Sequence, residues 1–174
     1  MNELIYNTLT EMLKDRGYLC IPSFNTTDEY FIIDDTLCLF FCQQKIGINT
    51  VKSIENTLTE LNKFKCIIIL SDGITSFAKQ YLCEIKIIQF EFFNNNEFLF
   101  NVTKHCLVPK HTLMPPTFLK TLCLKLKCNP NNLPVISLSD PISRYYGAQL
   151  NNVFEISRSS EFQPHAKYYR ICKN

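Results

Sequence analysis

The stretch that most constrains this chain is residues 140–147, Asp-Pro-Ile-Ser-Arg-Tyr-Tyr-Gly. Asp140 offers a carboxylate to the free N–H groups of a first helical turn. Pro141 suits the first helical position, where no N–H is needed. Gly147 supplies a left-handed stop that a residue with a Cβ adopts only at a cost. Caps this close together predict a helix of about two turns, too short to be stable without a core to hold it. Arg144, Tyr145 and Tyr146 lie between the caps. Large side chains with charged or polar tips serve either a packing corner or a binding surface.

The rest of the chain has the material for such a core. Its 174 residues are 46% hydrophobic and 13% aromatic, which is globular composition, enough for one domain or two small ones. A formal net charge of +2 is too small for a free-standing nucleic-acid binder. That charge is unevenly spread: residues 1–103 carry −5 and residues 104–174 carry +7. From Thr103 onward Pro109, Pro115 and Pro116 also interrupt the chain. Charge and proline together predict two units, 1–103 and 104–174, with different neighbours.

Over 1–103, helices and strands alternate. Leu4, Ile5, Leu9, Met12 and Leu13 recur at helical spacing and end at Gly17. Residues 18–21 look extended, and 23–29 form a polar loop. Residues 30–33 and 36–42 flank Asp34-Asp35 as a hairpin. A second helix, capped by Asn49 or Thr50, carries Val51, Ile54, Leu58 and Leu61 on one face. Residues 66–70 form an unbroken apolar run, the pattern of a strand buried on both faces. A helix over 75–83, a strand over 85–90, a loop at 94–97 and a strand or helical turn at 98–102 complete an α/β unit. The second unit has a helix face of Phe118, Leu119, Leu122 and Leu126, then the capped block. Strands at 153–156 and 167–172 follow and pair as a hairpin, a small α+β arrangement.

Several chemistries fit parts of the pattern. Asp72, twelve residues before Glu84-Ile85-Lys86 at the mouth of a strand, has the weak outline of a Mg²⁺-dependent nuclease. Nine cysteines, with no Cys-x-x-Cys pair and no signal-like N-terminus, read as free structural thiols of a reducing compartment. Asn25 and Asn101 match the glycosylation pattern, which would go unused there. Cys38 and Cys42 are too far apart on a strand to share one zinc ion. Cys123 and Cys128 flank a helix end with no histidine beside them. His105 and His111 bracket a Val-Pro linker as hydrogen-bonded hinge residues. No apolar run is long enough to cross a bilayer. The abundance of Asn, Lys, Ile, Phe and Tyr suits an A+T-rich, compact genome.

The capped block also resembles the Asp-Pro-x-x-Arg-Tyr-(Phe/Tyr)-Gly signature of the shared fifth subunit of eukaryotic RNA polymerases and its archaeal counterpart. Other blocks are similar in order and spacing: Lys14-Asp15-Arg16-Gly17-Tyr18, Lys45-Ile46-Gly47-Ile48-Asn49-Thr50-Val51-Lys52, Gly73–Gln80 with its Ala78-Lys79-Gln80, and Thr103-Lys104-His105-Cys106-Leu107-Val108-Pro109-Lys110-His111. Arg158-x-Ser160-Glu161 and Tyr168-Tyr169-Arg170 follow where the family has similar residues. There are departures. The family's Thr-Pro-Ser-Ala turn is Thr75-Ser76-Phe77-Ala78 here, its Arg-Gly turn is Leu150-Asn151, and Pro115-Pro116 replaces a Ser/Thr cap.

The resemblance implies an α/β amino-terminal jaw domain, a mixed sheet with flanking helices, and a small α+β carboxy-terminal assembly domain. It implies a non-catalytic subunit of a multisubunit DNA-dependent RNA polymerase, with no cofactor of its own. Asp140, Pro141, Arg144, Tyr145, Tyr146, Gly147 and Arg158 would then face the largest polymerase subunit, beside other polymerase subunits. Thr75, Ser76 and Lys79 would lie near downstream DNA, which is touched weakly, and no membrane is involved. The location implied is intracellular: nuclear for a cellular member, cytoplasmic or in the virion for a viral one.

Overall fold

The computed structural model describes residues 3–19, 30–158 and 166–174. The chain divides into two compact units, Met1–Phe100 and Asn101–Asn174. In the first, helix α1 (Glu3–Asp15) buries Ile5, Leu9, Met12 and Leu13, the stripe their spacing predicts. Leu4 lies outside that stripe and is exposed. The helix stops at Gly17, with φ +92°. The Gly17 N–H donates to the Lys14 carbonyl at 2.9 Å and the Tyr18 N–H to that of Leu13 at 3.0 Å, the paired bonds of a Schellman stop.

A four-stranded sheet follows, in the order β1 (Tyr30–Ile32), β2 (Leu37–Cys42), β3 (Lys65–Leu70), β4 (Gln89–Asn94). Strands β1 and β2 are the predicted hairpin, antiparallel with Phe31 opposite Leu39. Its turn is held by the Asp34 carboxylate, which accepts from the backbone N–H groups of Thr36 and Leu37. The remaining neighbours are parallel. Parallel pairs need crossovers, and α2 (Ile48–Glu60) and α3 (Ser76–Glu84) supply them. Val51, Ile54 and Leu58 of α2 and Ala78, Tyr81 and Leu82 of α3 pack with Cys38, Phe40, Cys66, Ile68 and Leu70 of the sheet. On the opposite face Leu39, Ile67 and Ile69 are equally buried. There Arg16, just past α1, reaches Glu91 of β4 at 2.7 Å. Strand β3 is thus buried on both sides, as its apolar run requires.

Three readings of this unit change. The cap of α2 is Gly47, with no side-chain bond, so Asn49 and Thr50 lie inside the first turn. The strand expected over 85–90 is displaced to Gln89–Asn94, because Ile85 closes α3 and packs into the core from there. An apolar run of helix end and strand start hides the boundary between them. Residues 95–98 form a short 3₁₀ turn, closed by a reciprocal pair of bonds between Asn94 and Glu97. The extended 20–21 and the loop at 23–29 lie outside the described residues, as do Ser160 and Glu161.

In the second unit the sheet order is β5 (Lys110–Leu113), β7 (Val153–Arg158), β8 (Ala166–Lys173), β6 (Val135–Ser137). The hairpin of β7 and β8 is antiparallel as expected, whereas edge strands β5 and β6 were not foreseen. One face carries Val153 and Ile171, covered by Leu122 of helix α4 (Phe118–Leu126) and by Leu133. The other carries Ile136, Phe154, Ile156 and Cys172, against which Ile142 of the short helix α5 (Pro141–Tyr145) packs.

Candidate functional site

Helix α5 is built as its sequence demands. Asp140 Oδ1 accepts from the Ile142 N–H at 2.8 Å, and Pro141 occupies the first turn. Gly147 has φ +61°. Its N–H donates to the Arg144 carbonyl at 3.0 Å, while the Ala148 N–H donates to that of Ser143 at 2.9 Å, a second Schellman stop. The helix itself is five residues long, shorter than the caps suggested. Past it Asn151 takes φ +66°, so the altered Leu150-Asn151 turn keeps a left-handed residue.

These side chains are spent unevenly. Tyr145 is 5% exposed, and its hydroxyl accepts from Asn101 Nδ2 at 3.0 Å. The Tyr146 ring lies 5.2 Å from that of Tyr145 and 5.8 Å from that of Phe154. Tyr145 therefore packs inside the unit, whereas Tyr146 packs on Phe154 and stays partly open to solvent. Asp140, Pro141 and Gly147 shape the backbone. Arg144 is half-buried and Arg158 is exposed. Asn101 also accepts from the Thr103 N–H at 2.9 Å. Its Asn-Val-Thr sequence suggests only a glycosylation pattern at first sight, although the same spacing also suits a capped turn.

Arg158 ends β7 on the face that carries Phe154 and Ile156. Its guanidinium carbon stands 5.6 Å from the centre of the Tyr168 ring, a residue 51% exposed. Arg170 lies opposite Phe154 in the register and donates to the Val135 carbonyl. Together they make a basic and aromatic surface beside the covered core. His111 sits at its edge, 5.9 Å from Phe154, and Nδ1 donates to the Pro109 carbonyl at 2.7 Å. Burial pushes the His111 pKa down. The Pro109 carbonyl and Asp140 pull it up, Arg158 and Arg170 push it down again, and the balance lies below the ordinary value.

In the first unit, Thr75 caps α3 by accepting from the Ala78 N–H at 3.3 Å, so its hydroxyl is committed. Ser76 and Lys79 are exposed, and Phe77 between them is 74% exposed. The Ile46 N–H donates to the Gly73 carbonyl and the Thr75 N–H to that of Ile46, which ties this turn to the segment before α2. The nuclease geometry is absent. Asp72 follows the C-terminal end of β3, whereas Glu84 ends α3 and Lys86 precedes β4, at the opposite end of the parallel strands. The strand expected from Ile85, which would have carried Lys86, begins only at Gln89. Among the described residues, no group of three or more His, Cys, Asp or Glu is placed to hold a metal ion. Among them also, no helix is long and apolar enough to cross a membrane.

Similarity to known proteins identifies first the class. Residues 100–172, nearly all of the second unit, match the family model described as RNA polymerase Rpb5, C-terminal domain. That makes the second unit a polymerase-subunit module. The match to whole proteins extends further. The DNA-directed RNA polymerases I, II, and III subunit rpabc1 of Dictyostelium discoideum is 31% identical over 194 residues, covering 97% of this chain and 95% of that protein. The RPABC1 subunits of Caenorhabditis briggsae and Caenorhabditis elegans are each 34% identical over 139 residues, 79% of this chain and 66% of theirs. The chain belongs to the Rpb5 family of DNA-directed RNA polymerase subunits.

Proposed function

We propose that the protein is a non-catalytic subunit of a multisubunit DNA-dependent RNA polymerase. Its first unit acts as a lower jaw beside downstream DNA, and its second docks on the largest subunit among the other polymerase subunits. The observation that carries this reading is similarity along nearly the whole of both chains to a subunit named for its place in RNA polymerases I, II and III. The docking surface centres on the two cations of the signature region, Arg144 on α5 and Arg158 on β7, with exposed Pro141 and part-exposed Tyr146 beside them. Asp140, Tyr145 and Gly147 support that surface by holding the helix in place. The surface suits a partner segment bearing carboxylates or free carbonyls, since guanidinium groups recognise both. Near DNA, Ser76 and Lys79 make the contact and Thr75 positions them. Contact there is weak, because the −5 charge of residues 1–103 neutralises few phosphates. The protein works where its polymerase works, in the nucleus of a cell or, for a viral enzyme, in the cytoplasm or virion.

The test is affinity purification of the tagged full chain from its native cells, followed by mass spectrometry. Large polymerase subunits should co-purify in near-equal amount. Recovery of the chain alone, under conditions that keep the polymerase intact, would overturn the assignment.

A further inference from the structure

Helix α4 ends in a feature that lies outside the signature region. Lys127 takes the left-handed conformation at φ +50°. Its N–H donates to the Leu124 carbonyl at 3.4 Å, and the Cys128 N–H donates to the Cys123 carbonyl at 3.1 Å. These are the two bonds of a Schellman stop, and that motif frequently brings the residue four positions before the left-handed one against the residue just after it. Here those two positions are Cys123 and Cys128. Both lie at the rim of the cluster formed by Leu122, Leu133, Val153 and Ile171, and both remain partly open to solvent. The two thiols lie close enough that Cys128 helps to raise the Cys123 pKa. The neighbours explain why the pair is distinct. Cys38, Cys66 and Cys172 are buried, and burial pushes the Cys172 thiol up to about 11.

We infer that Cys123 and Cys128 form a reversible dithiol–disulfide clip at the end of α4, oxidised by a low-molecular-weight disulfide such as oxidised glutathione. The thiolate of one cysteine attacks the glutathione disulfide. A mixed disulfide forms and one glutathione thiolate leaves. The facing thiolate then displaces the second glutathione and closes the Cys123–Cys128 bond. Two protein thiols lose two hydrogens, and one glutathione disulfide becomes two thiols. The 3.1 Å bond from the Cys128 N–H to the Cys123 carbonyl brings the two residues together on the scale of the Cα separation of about 4.4–6.8 Å that a disulfide tolerates. Burial, and after it the facing Cys128, raises the Cys123 pKa. Closure is therefore slow at neutral pH and quickens as the medium becomes alkaline. The closed clip would lock the stop of α4 to the chain that leads to Leu133 and so stiffen one face of the sheet.

The test equilibrates the full chain in graded mixtures of reduced and oxidised glutathione at pH 8, followed by acid quench, alkylation of free thiols and unreduced tryptic mapping. Cleavage after Lys125 and Lys127 separates the two cysteines, so the disulfide leaves two fragments joined until reductant is added. Those joined fragments should reach half-yield in a mixture at least tenfold more reducing than the one that half-modifies exposed Cys106. Cys123→Ser should abolish them and leave a glutathione adduct on Cys128, and Cys128→Ser should do the converse. Phenylarsine oxide, which needs two facing thiols, should bind the reduced wild type at this site and neither variant. Separate adducts on both cysteines of the wild type, linkage to other cysteines, or closure no easier than modification of Cys106 would each overturn the inference.

Discussion

At the scale of single residues, the caps of α5 carry the most testable energetics. Asp140→Ala removes the acceptor that holds the Ile142 N–H and should cost about 0.5–2 kcal/mol, read as a lower urea midpoint at unchanged slope. Gly147→Val should cost at least as much, since a β-branched residue at φ +61° is strained. His111 gives a pH signature. Its folded pKa lies below the unfolded value, chiefly through burial, so the unfolded chain takes up the proton first. The stability contributed by neutral His111 is complete above the unfolded value near 6.5 and is lost as pH falls toward the folded one. The melting temperature should therefore fall between pH 7.5 and 5.5, and His111→Asn should flatten that slope. The caps were legible in the sequence because their partners lie within five residues. The burial of Tyr145 was not, since its partner Asn101 is 44 positions away and nothing local marks the pair.

Secondary-structure elements show the same division between local and distant causes. Helices α1, α2 and α4 and the buried strand β3 were legible because each has one strong apolar period or an unbroken apolar run. Strand β4 was misplaced, since Ile85 and Ile88 bury as a helix end and a connection while looking like strand. Edge strands β5 and β6, rich in Lys, His, Thr and Ser, carry no apolar alternation and exist through the pairing that β7 and β8 offer. Helix stops were half legible. Gly17 and Gly147 announce themselves, but Asn62 and Lys127 fill the same left-handed role at φ +53° and +50°. In both cases the following N–H bonds back across the stop, Lys63 to the Leu58 carbonyl at 2.8 Å and Cys128 to the Cys123 carbonyl at 3.1 Å. A left-handed lysine is disfavoured by about 1–2 kcal/mol, and glycine returns part of that gain as extra unfolded-state entropy. Lys127→Gly should stabilise the protein by a net of roughly 0.5–1 kcal/mol, measurable as a higher urea midpoint.

For the molecule as a whole, the question is which part of the signature block serves assembly and which part serves the fold. The sequence made family membership legible through ordered blocks, yet it presented Arg144, Tyr145, Tyr146 and Arg158 as equivalent. Packing separates them. Tyr146 lies against Phe154, which is fully buried, so Tyr146→Ala removes core contact. It should destabilise by about 1–3 kcal/mol, less than truncation of a fully buried aromatic, because Tyr146 is only partly buried. Any loss of incorporation into polymerase would then follow from unfolding. Arg158 differs because its guanidinium covers an exposed ring and its loss opens no cavity. Surface substitutions of that kind change stability by about 0.5 kcal/mol or less. Arg158→Ala should therefore melt within a few degrees of the wild type while losing most of its recovery with the largest subunit in a co-expression pull-down. Arg144→Ala, half-buried, should show the same order of effects with a larger drop in melting temperature. Arg158→Lys sharpens the test, since it keeps the charge and loses the planar fork. If the docking contact is a bidentate guanidinium bond, lysine should restore only a small part of the recovery. If Arg158→Ala assembles at the wild-type level, this basic surface faces solvent in the polymerase, and docking belongs to another face of the second unit.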